Sequence, residues 1–225
     1  MKTELIGTIF LSEKRKSILL MLMNGPLSIE DIKNVLPGNS SAIMTQVKIL
    51  QEQSIIALDG DKYHLTEIGT ILVKKMCPML DTVNVLEKHI KYWETRDLSS
   101  IPTHLLERIG ELGDTILIEP DLNHLFEPPK ELVESLEKTT EVRTLYSYFC
   151  PSCPKNYSYL AKKGTDFTLI LTKSVFERLR DEFQTEYHEM MNSGCSKIFV
   201  CDDNIKLGAV SVTDDFVLLA FFNKE

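Results

Sequence analysis

The sequence lacks the segments and motifs that define several large classes of protein. Its 225 residues contain no apolar run near the roughly 20 residues that cross a bilayer, and its N-terminus lacks the basic and then apolar order of a secretion signal. There is no Ser-His-Asp arrangement, no glycine-rich phosphate loop and no carboxylate pair at a spacing that predicts hydrolysis. We therefore expect a cytoplasmic protein that is not an enzyme, does not bind a membrane and needs no cofactor.

The spacing of the cysteines limits the chemistry that they can carry. Among five cysteines, Cys150 and Cys153 form a C-x-x-C, which in an intracellular α/β domain can be a redox pair or half of a zinc site. Structural zinc takes four ligands, and no second C-x-x-C or histidine pair follows, while Cys195 and Cys201 are too far apart for the usual knuckle. Inert thiols, a redox pair and a metal site stay open, and no metal ligand set is predicted.

Positive charge is in short supply overall but not at the start of the chain. The formal net charge is −8, yet residues 1–75 carry nine Lys and Arg against eight Asp and Glu, and the rest carry 16 against 25. Affinity for DNA depends largely on neutralising phosphates, so the first part of the chain is the part that can meet DNA. One copy should bind weakly, and two copies would double the contacts, so a homodimer is expected.

Three short helices are predicted over the first 52 residues. Ser12, Ser28 and either Asn39 or Ser40 can each cap a helix, and Asn-Gly-Pro and Pro-Gly turns end the first two. In the third helix the apolar residues have helical spacing and leave polar side chains on the outside. The second and third helices therefore have the order of a helix-turn-helix, with the third as the recognition helix.

A β-hairpin is predicted after the third helix. Residues 55–58 and 62–65 are two β-prone runs around the turn Asp59-Gly60-Asp61. Thr66 can cap the next helix, in which Gly69 allows close approach of a neighbour. The hairpin is the wing of a winged helix-turn-helix DNA-binding domain, which we predict over residues 1–77.

Two groups of side chains are predicted to contact double-stranded DNA, because hydroxyl and amide groups read base edges and basic groups bind phosphates. The groove contacts are Ser40, Ser41, Thr45 and Gln46. The backbone contacts are Lys14, Arg15, Lys16, Lys48 and Lys62. An ordinary solvated face explains any single basic residue about as well, and only their grouping around the third helix and the wing favours DNA.

Residues 78–100 are predicted to connect the two parts of the chain. Apolar residues recur at spacings of three and four over residues 79–97, which indicates an amphipathic helix that either packs on its own domain or pairs with its copy in a partner subunit. His89, Lys91 and Asp97 approximate the His-x-Lys-x4-Asp motif of phospholipase D enzymes. However, five residues separate the lysine from the aspartate, and helical turns would not gather the three side chains. No catalytic residue is predicted.

From residue 101 strands and helices alternate, which predicts a mostly parallel sheet with helices on its faces. The predicted strands are 115–118, 141–146, 167–171 and 197–201, followed by a hairpin of 209–212 and 216–222. The predicted helices are 128–136, 157–163 and 174–191. The fold class is therefore mixed α/β, with an α/β effector-sensing domain over residues 101–225.

Motifs spread over this second part carry a family resemblance. They are Trp93 with residues 97–102, Leu106-x-x-Ile109-Gly110-x-Leu112, Leu171-Thr172-Lys173, and Lys206-Leu207-Gly208 with residues 212–216. In this order behind a winged helix they resemble the archaeal winged-helix regulators of the methanogenesis (Fil-type) regulatory family. The resemblance implies a DNA-binding transcription factor whose C-terminal domain senses a small molecule on a sheet similar to that of phospholipase D proteins, without their catalytic residues. Similar proteins continue through a further strand and helix beyond the position of Glu225, so we expect a shortened copy or a shorter member, with an incomplete pocket.

Polar side chains follow three of the predicted strands. Ligands of open α/β sheets bind outside the carboxyl ends of the strands, and hydroxyl and charged groups there suit a small polar or anionic effector. Lys173, near the start of a helix, can meet an acid group. The predicted effector-binding residues are Ser147, Tyr148, Thr172, Lys173 and Asp202, with Asp203 beside them. The alternative is that these residues only complete turns.

These features together predict a homodimeric transcription regulator in which an unknown small-molecule effector alters DNA binding. Two alternatives stay open. The winged helix can serve as a protein-interaction module, which the acidic total charge favours, or the second domain can be an enzyme.

Overall fold

The computed structural model describes residues 4–119, 127–202 and 204–224, which form a mixed α/β protein with one three-stranded and one five-stranded sheet. The chain divides into two compact units. Unit 1 runs through Glu87 and also contains Arg108–Gly113, and unit 2 contains Lys88–Glu107 and the chain from Asp114 onward. The stretch 78–100, predicted as a separate connection, is thus shared between the two units.

Unit 1 is built from short helices, a small sheet and one long helix. The helices are α1 (Glu4–Phe10), α2 (Glu13–Met23), α3 (Ile29–Val35), α4 (Ser40–Glu52) and α5 (Glu67–Lys88), with a 3-10 helix at Ile109–Leu112. The strands are β1 (Leu27–Ser28), β2 (Ile56–Asp59) and β3 (Lys62–Leu65), and β3 pairs antiparallel with both of the others. Helix α1 and strand β1 were not predicted, because neither is long enough to show a hydrophobic period.

The predicted caps set the starts of the first helices. Ser12 caps α2 by accepting from the Arg15 N–H, and Asn39, not Ser40, caps α4 by accepting from the Ala42 N–H at 2.7 Å. Ser28 and Asp31 form a reciprocal capping box at α3, in which the Asp31 N–H donates to Ser28 Oγ and the Ser28 N–H donates to Asp31 Oδ2. These local bonds fix where each helix begins.

The hairpin and α5 meet as predicted. Gly60 has φ 60° and is the first of two loop residues between Asp59 and Lys62, which are register partners. At Gly69, a Cβ atom would lie 2.0 Å from the Ile55 carbonyl oxygen, so α5 approaches the chain before β2 at backbone distance. The core beneath is formed by side chains of α2, α3, α4, β2 and α5, among them Ile18, Leu19, Ile32, Ile43, Val47, Leu50, Ile55 and Val73.

The prediction of one continuous amphipathic helix over residues 79–97 is wrong. Helix α5 continues through Pro78 and ends at Lys88, and a separate helix, α6 (Ile90–Thr95), follows. His89 has φ −135°, outside the helical range, and its Nε2 lies 3.3 Å from the Thr115 carbonyl oxygen. The hydrophobic period runs across both helices, so the period alone did not reveal the break.

Unit 2 is a five-stranded sheet with helices. Its strands are β4 (Glu141–Tyr146), β5 (Asp166–Thr172), β6 (Ser196–Cys201), β7 (Leu207–Val212) and β8 (Val217–Phe221), in the order β6-β5-β4-β7-β8. Strands β4, β5 and β6 are parallel, and β7 and β8 are antiparallel to their neighbours. Its helices are α6, α7 (Thr103–Leu106), α8 (Lys130–Lys138), α9 (Cys153–Lys163), α10 (Lys173–Glu182) and α11 (Gln184–Asn192).

Two predicted elements of unit 2 are wrong. Residues 115–118 form no strand, because they join neither sheet and Ile116 is largely exposed. The helix predicted over 174–191 is two helices, α10 and α11, separated at Phe183. That residue leaves the helical range at φ −126°, and its ring lies 5.3 Å from the ring of Phe149. Nowhere in the described ranges is a helix both long and apolar enough to cross a membrane.

Candidate nucleic-acid interface

Helix α4 presents one side of its surface to solvent. Ile43, Val47 and Leu50 point into the core of unit 1, whereas Ser41, Thr45 and Lys48 are exposed on the opposite side. Ser40 is also exposed, at the first position of the helix, and the Thr45 hydroxyl donates to the Ser41 carbonyl at 2.9 Å. Glu52 lies at the C-terminal end of the same exposed side. The exposed side of α4 therefore carries hydroxyl groups in its N-terminal half and Lys48 in its C-terminal half, and its single carboxylate is at the far end.

Gln46, predicted to contact a groove, has partners within unit 1. Its Oε1 accepts a hydrogen bond from an Arg15 amino group at 2.7 Å, and the Arg15 guanidinium also donates to the carbonyl oxygens of Gly7 and Thr8. Both side chains are half-buried. Arg15 therefore ties the end of α1 to α4, and either predicted DNA contact would require these bonds to open.

The remaining predicted backbone contacts lie in different surroundings. Lys14 lies over the α3–α4 turn, where its Nζ would be 2.7 Å from a Cβ at Gly38, and Lys16 forms an ion pair with Glu13 at 2.6 Å. Lys48 and Lys62 are exposed. Lys62 has Asp59 as its register partner and Asp61 beside it, so the tip of the hairpin carries more negative than positive charge.

The predicted effector residues are only partly brought together. The Ser147 hydroxyl donates to the Gly208 carbonyl at 3.0 Å, and the buried Thr172 hydroxyl lies 3.5 Å from the Ser147 carbonyl. These two groups therefore satisfy backbone atoms at the strand ends. Lys173 and Asp202 are exposed, and Asp203 lies outside the described residues.

The space beside these strand ends is an apolar cavity of about 30 Å³, in contrast to the polar pocket that we expected. Of the predicted effector residues that the structure describes, only Tyr148 lines this cavity. Other lining residues include Tyr146, Phe149, Tyr157, Leu171, Cys150 and Cys153. The signal for it was the aromatic sequence Tyr146-Ser-Tyr148-Phe149 at a strand end, which our prediction did not use.

The tyrosines of this cavity stay protonated. Burial raises the pKa of Tyr157 to about 12 and raises the pKa of Tyr146 and Tyr148 above the ordinary value. The Tyr157 hydroxyl donates to Thr144 Oγ1 at 2.5 Å, and Thr144 Oγ1 lies 2.9 Å from Ser211 Oγ. These buried hydroxyls hold β4, β7 and α9 together as a neutral network.

Cys150 and Cys153 form a disulfide, whereas Cys77, Cys195 and Cys201 are thiols outside any disulfide. Within the part of the chain that the structure describes, no group of three or more His, Cys, Asp or Glu side chains is placed to hold a metal ion. His89 and Asp97 are also separately engaged, His89 with the Thr115 carbonyl and Asp97 with the Ser99 N–H.

Comparison with known families identifies the relatives of this chain. Residues 3–84 match the N-terminal domain of methanogenesis regulatory protein FilR1, and residues 125–225 match its middle domain. The chain belongs to the FilR1 family. This confirms the resemblance drawn from the motifs around Trp93, Leu171-Thr172-Lys173 and residues 206–216.

One FilR1 relative is described from Methanothrix harundinacea (strain 6Ac). It is 22% identical over 218 residues, which cover 95% of this chain and 49% of the relative. The chain therefore spans about half the length of that curated FilR1 protein. The match includes both units.

Likenesses to solved structures are weak. The archaeal chromatin protein TrmBL2, whose structure is described as showing a novel mode of DNA binding, matches 94% of this chain and 80% of its own with 15% identity and a TM-score of 0.34. The dimethyltransferase RosA from Streptomyces davawensis matches 88% of this chain and 64% of its own with 11% identity and a TM-score of 0.28. Scores this low establish no common fold with either protein.

Proposed function

We propose that this FilR1 family member is a DNA-binding transcriptional regulator that acts as a homodimer. In this proposal unit 1 is a winged helix-turn-helix, α4 is its recognition helix, and unit 2 is an effector domain with a sheet like that of phospholipase D proteins. The observation that carries the proposal is the exposed side of α4, which presents Ser41, Thr45 and Lys48 to solvent behind a capped N-terminus. Family membership supports a regulatory role and no enzymatic one.

The groove contacts in this proposal are the exposed hydroxyls of α4. Recognition helices place their N-terminal residues against base edges, and Ser40, Ser41 and Thr45 occupy that end of α4. Gln46 is assigned a structural role instead, because its Oε1 is bonded to Arg15. Serine and threonine accept or donate to several bases, so discrimination by each residue is modest.

The backbone contacts in this proposal are Lys14, Lys48 and Lys62. Lys14 and Lys48 flank the N-terminal half of α4, one over the preceding turn and the other on its exposed side. The hairpin adds only Lys62, beside two aspartates. So few cations per copy give weak binding with a shallow salt dependence, which is why two copies are needed.

An apolar stripe on α5 supports a dimer. Ile68, Ile71, Met79 and Val83 lie on one side of the helix, which also holds the exposed Lys75, and they are 53%, 63%, 55% and 42% exposed. Covering each half-exposed side chain contributes about 1 kcal/mol, hence about 8 kcal/mol over two copies. That is comparable with the cost of association, about 4–15 kcal/mol, so the free dimer should be weak. A duplex that binds both copies would stabilise it.

The test is a set of DNA titrations with the whole chain, first against genomic fragments and then against a selected duplex and a random duplex at several salt concentrations. Ser41→Ala should lose affinity for the selected duplex only, whereas Lys48→Ala should weaken both duplexes and reduce the salt slope by about 1. Lys138→Ala, at an exposed position of α8, is the matched control and should change neither. No retardation of any fragment, or equal losses on both duplexes for Ser41→Ala, would reject the proposal.

A further inference from the structure

Cys150 and Cys153 occupy a tight turn between β4 and α9. The Cys153 N–H donates to the Cys150 carbonyl at 3.1 Å, and Cys153 is the first residue of the eleven-residue helix α9. The two sulfurs are joined, and both residues are buried against the aromatic cavity of unit 2. The three other cysteines, Cys77, Cys195 and Cys201, lie elsewhere in the chain and form no disulfide.

We propose that Cys150 and Cys153 are a reversible thiol–disulfide site that exchanges with a cellular dithiol. A thiolate of the dithiol attacks one sulfur of the bridge, which breaks the S–S bond and forms a mixed disulfide. The second thiolate of the donor then displaces the remaining cysteine sulfur. The site gains two electrons and two protons and becomes two thiols, and the donor becomes a disulfide. A low-molecular-weight disulfide reverses the reaction.

Both sulfurs have neighbours that stabilise a thiolate leaving group. Cys153 lies at the N-terminus of α9, where the helix dipole favours negative charge. The Ser152 hydroxyl lies 3.5 Å from Cys150 Sγ and can donate to it. Stabilised thiolates leave faster in exchange, so this bridge opens more readily than one in purely apolar surroundings.

The surroundings also tolerate the reduced state. A bridge between residues three positions apart closes a short loop, so it removes less chain entropy from the unfolded state than a longer one. Two thiols need more room than a joined pair, and the adjoining cavity supplies it. Reduction therefore changes the shape of a cavity lined by Tyr146, Tyr148 and Tyr157 while the fold persists. This site lies in unit 2 and does not depend on DNA binding by unit 1.

The experiment counts thiols on the whole native chain. The protein is incubated with dithiothreitol or with buffer, quenched in acid, alkylated with N-ethylmaleimide in denaturant and weighed by mass spectrometry. We expect three labels before reduction and five after, with the two new labels at Cys150 and Cys153, and a return to three when oxidised glutathione replaces the reductant. Far-UV circular dichroism should stay unchanged, and the tyrosine signal in the near-UV should shift.

Two variants make the result decisive. Cys150→Ser with Cys153→Ser should abolish both the two-label increase and the near-UV shift, whereas Cys195→Ser should keep both and simply carry one label fewer. Five labels after incubation with oxidised glutathione would overturn the proposal, because no bridge would form. A bridge that opens only in denaturant, or only as the chain unfolds, would overturn it equally, because the disulfide would then be structural.

Discussion

At the residue scale, the absence of a side chain at Gly69 decides how closely α5 packs on unit 1. A Cβ there would lie 2.0 Å from the Ile55 carbonyl oxygen, which accepts from the Thr66 N–H and cannot move freely. Gly69→Ala should therefore force α5 away and lower the free energy of unfolding by about 1–3 kcal/mol, as overpacking of a fixed contact does. Urea denaturation followed by circular dichroism measures this.

The matched control for that substitution is another helical glycine of unit 1. At Gly7 in α1, a Cβ would meet only the Leu11 side chain, at an ordinary 3.6 Å. Gly7→Ala should be neutral or stabilising by up to about 1 kcal/mol, since alanine favours a helix. Similar losses for the two variants would show that the backbone contact at Gly69 is not the cause.

Another residue-scale prediction concerns pH. The Ser28 hydroxyl and backbone N–H both donate to the Asp31 carboxylate, which lowers the pKa of that carboxyl below its ordinary value. The stabilisation is complete above the ordinary pKa of an aspartate and is lost as the pH falls through the lowered value. Asp31→Asn should be less stable than the wild-type chain at pH 7, and the difference should shrink in acid. A constant difference down to pH 3 would contradict the capping role.

At the element scale, features that depend on local bonds could be predicted from the sequence, and features that depend on tertiary contacts could not. The starts of α2, α3 and α4 and the turn at Gly60 were predictable, because each depends on bonds within a few residues. The break at Phe183 involves the ring of Phe149, far along the chain, and residues 115–118 form no strand because they pair with no strand of either sheet. The Arg15–Gln46 bond was hidden for the same reason, since it joins α2 to α4 across a long stretch of sequence. The exposed hydroxyls of α4 were therefore predictable, but the engagement of Gln46 was not.

Pro78 permits a prediction about a whole element. It lies inside α5 and has no N–H to donate to the carbonyl four residues earlier. Pro78→Ala should restore that bond and raise the free energy of unfolding by up to about 3 kcal/mol, measured by urea denaturation. Pro37→Ala, in the turn before α4, should give no gain because loop prolines restrict the unfolded chain. A loss of stability in Pro78→Ala would mean that the core requires the helix shape that proline imposes.

At the scale of the whole molecule, the apolar stripe on α5 is predicted to join two copies. Met79 is at the middle of that stripe, so Met79→Glu would place two like charges at the centre of the pair and remove apolar burial. We expect sedimentation to show a monomer at concentrations where the wild-type chain associates. The affinity for a duplex with two half-sites should fall at least tenfold, and the affinity for a single half-site should stay unchanged.

The control for the dimer is Asn84→Glu, which adds the same charge to α5 at an exposed position on the opposite side of the helix. It should leave both association and DNA affinity near the wild-type values, because an exposed charge outside the interface is neither desolvated nor opposed by its copy. The stripe contributes only about as much free energy as association costs, so the duplex itself must stabilise the pair of chains. Sedimentation with the two-site duplex should therefore show two chains per duplex. One chain per duplex for the wild-type protein, or equal effects of the two glutamates, would show that α5 is not the dimer surface.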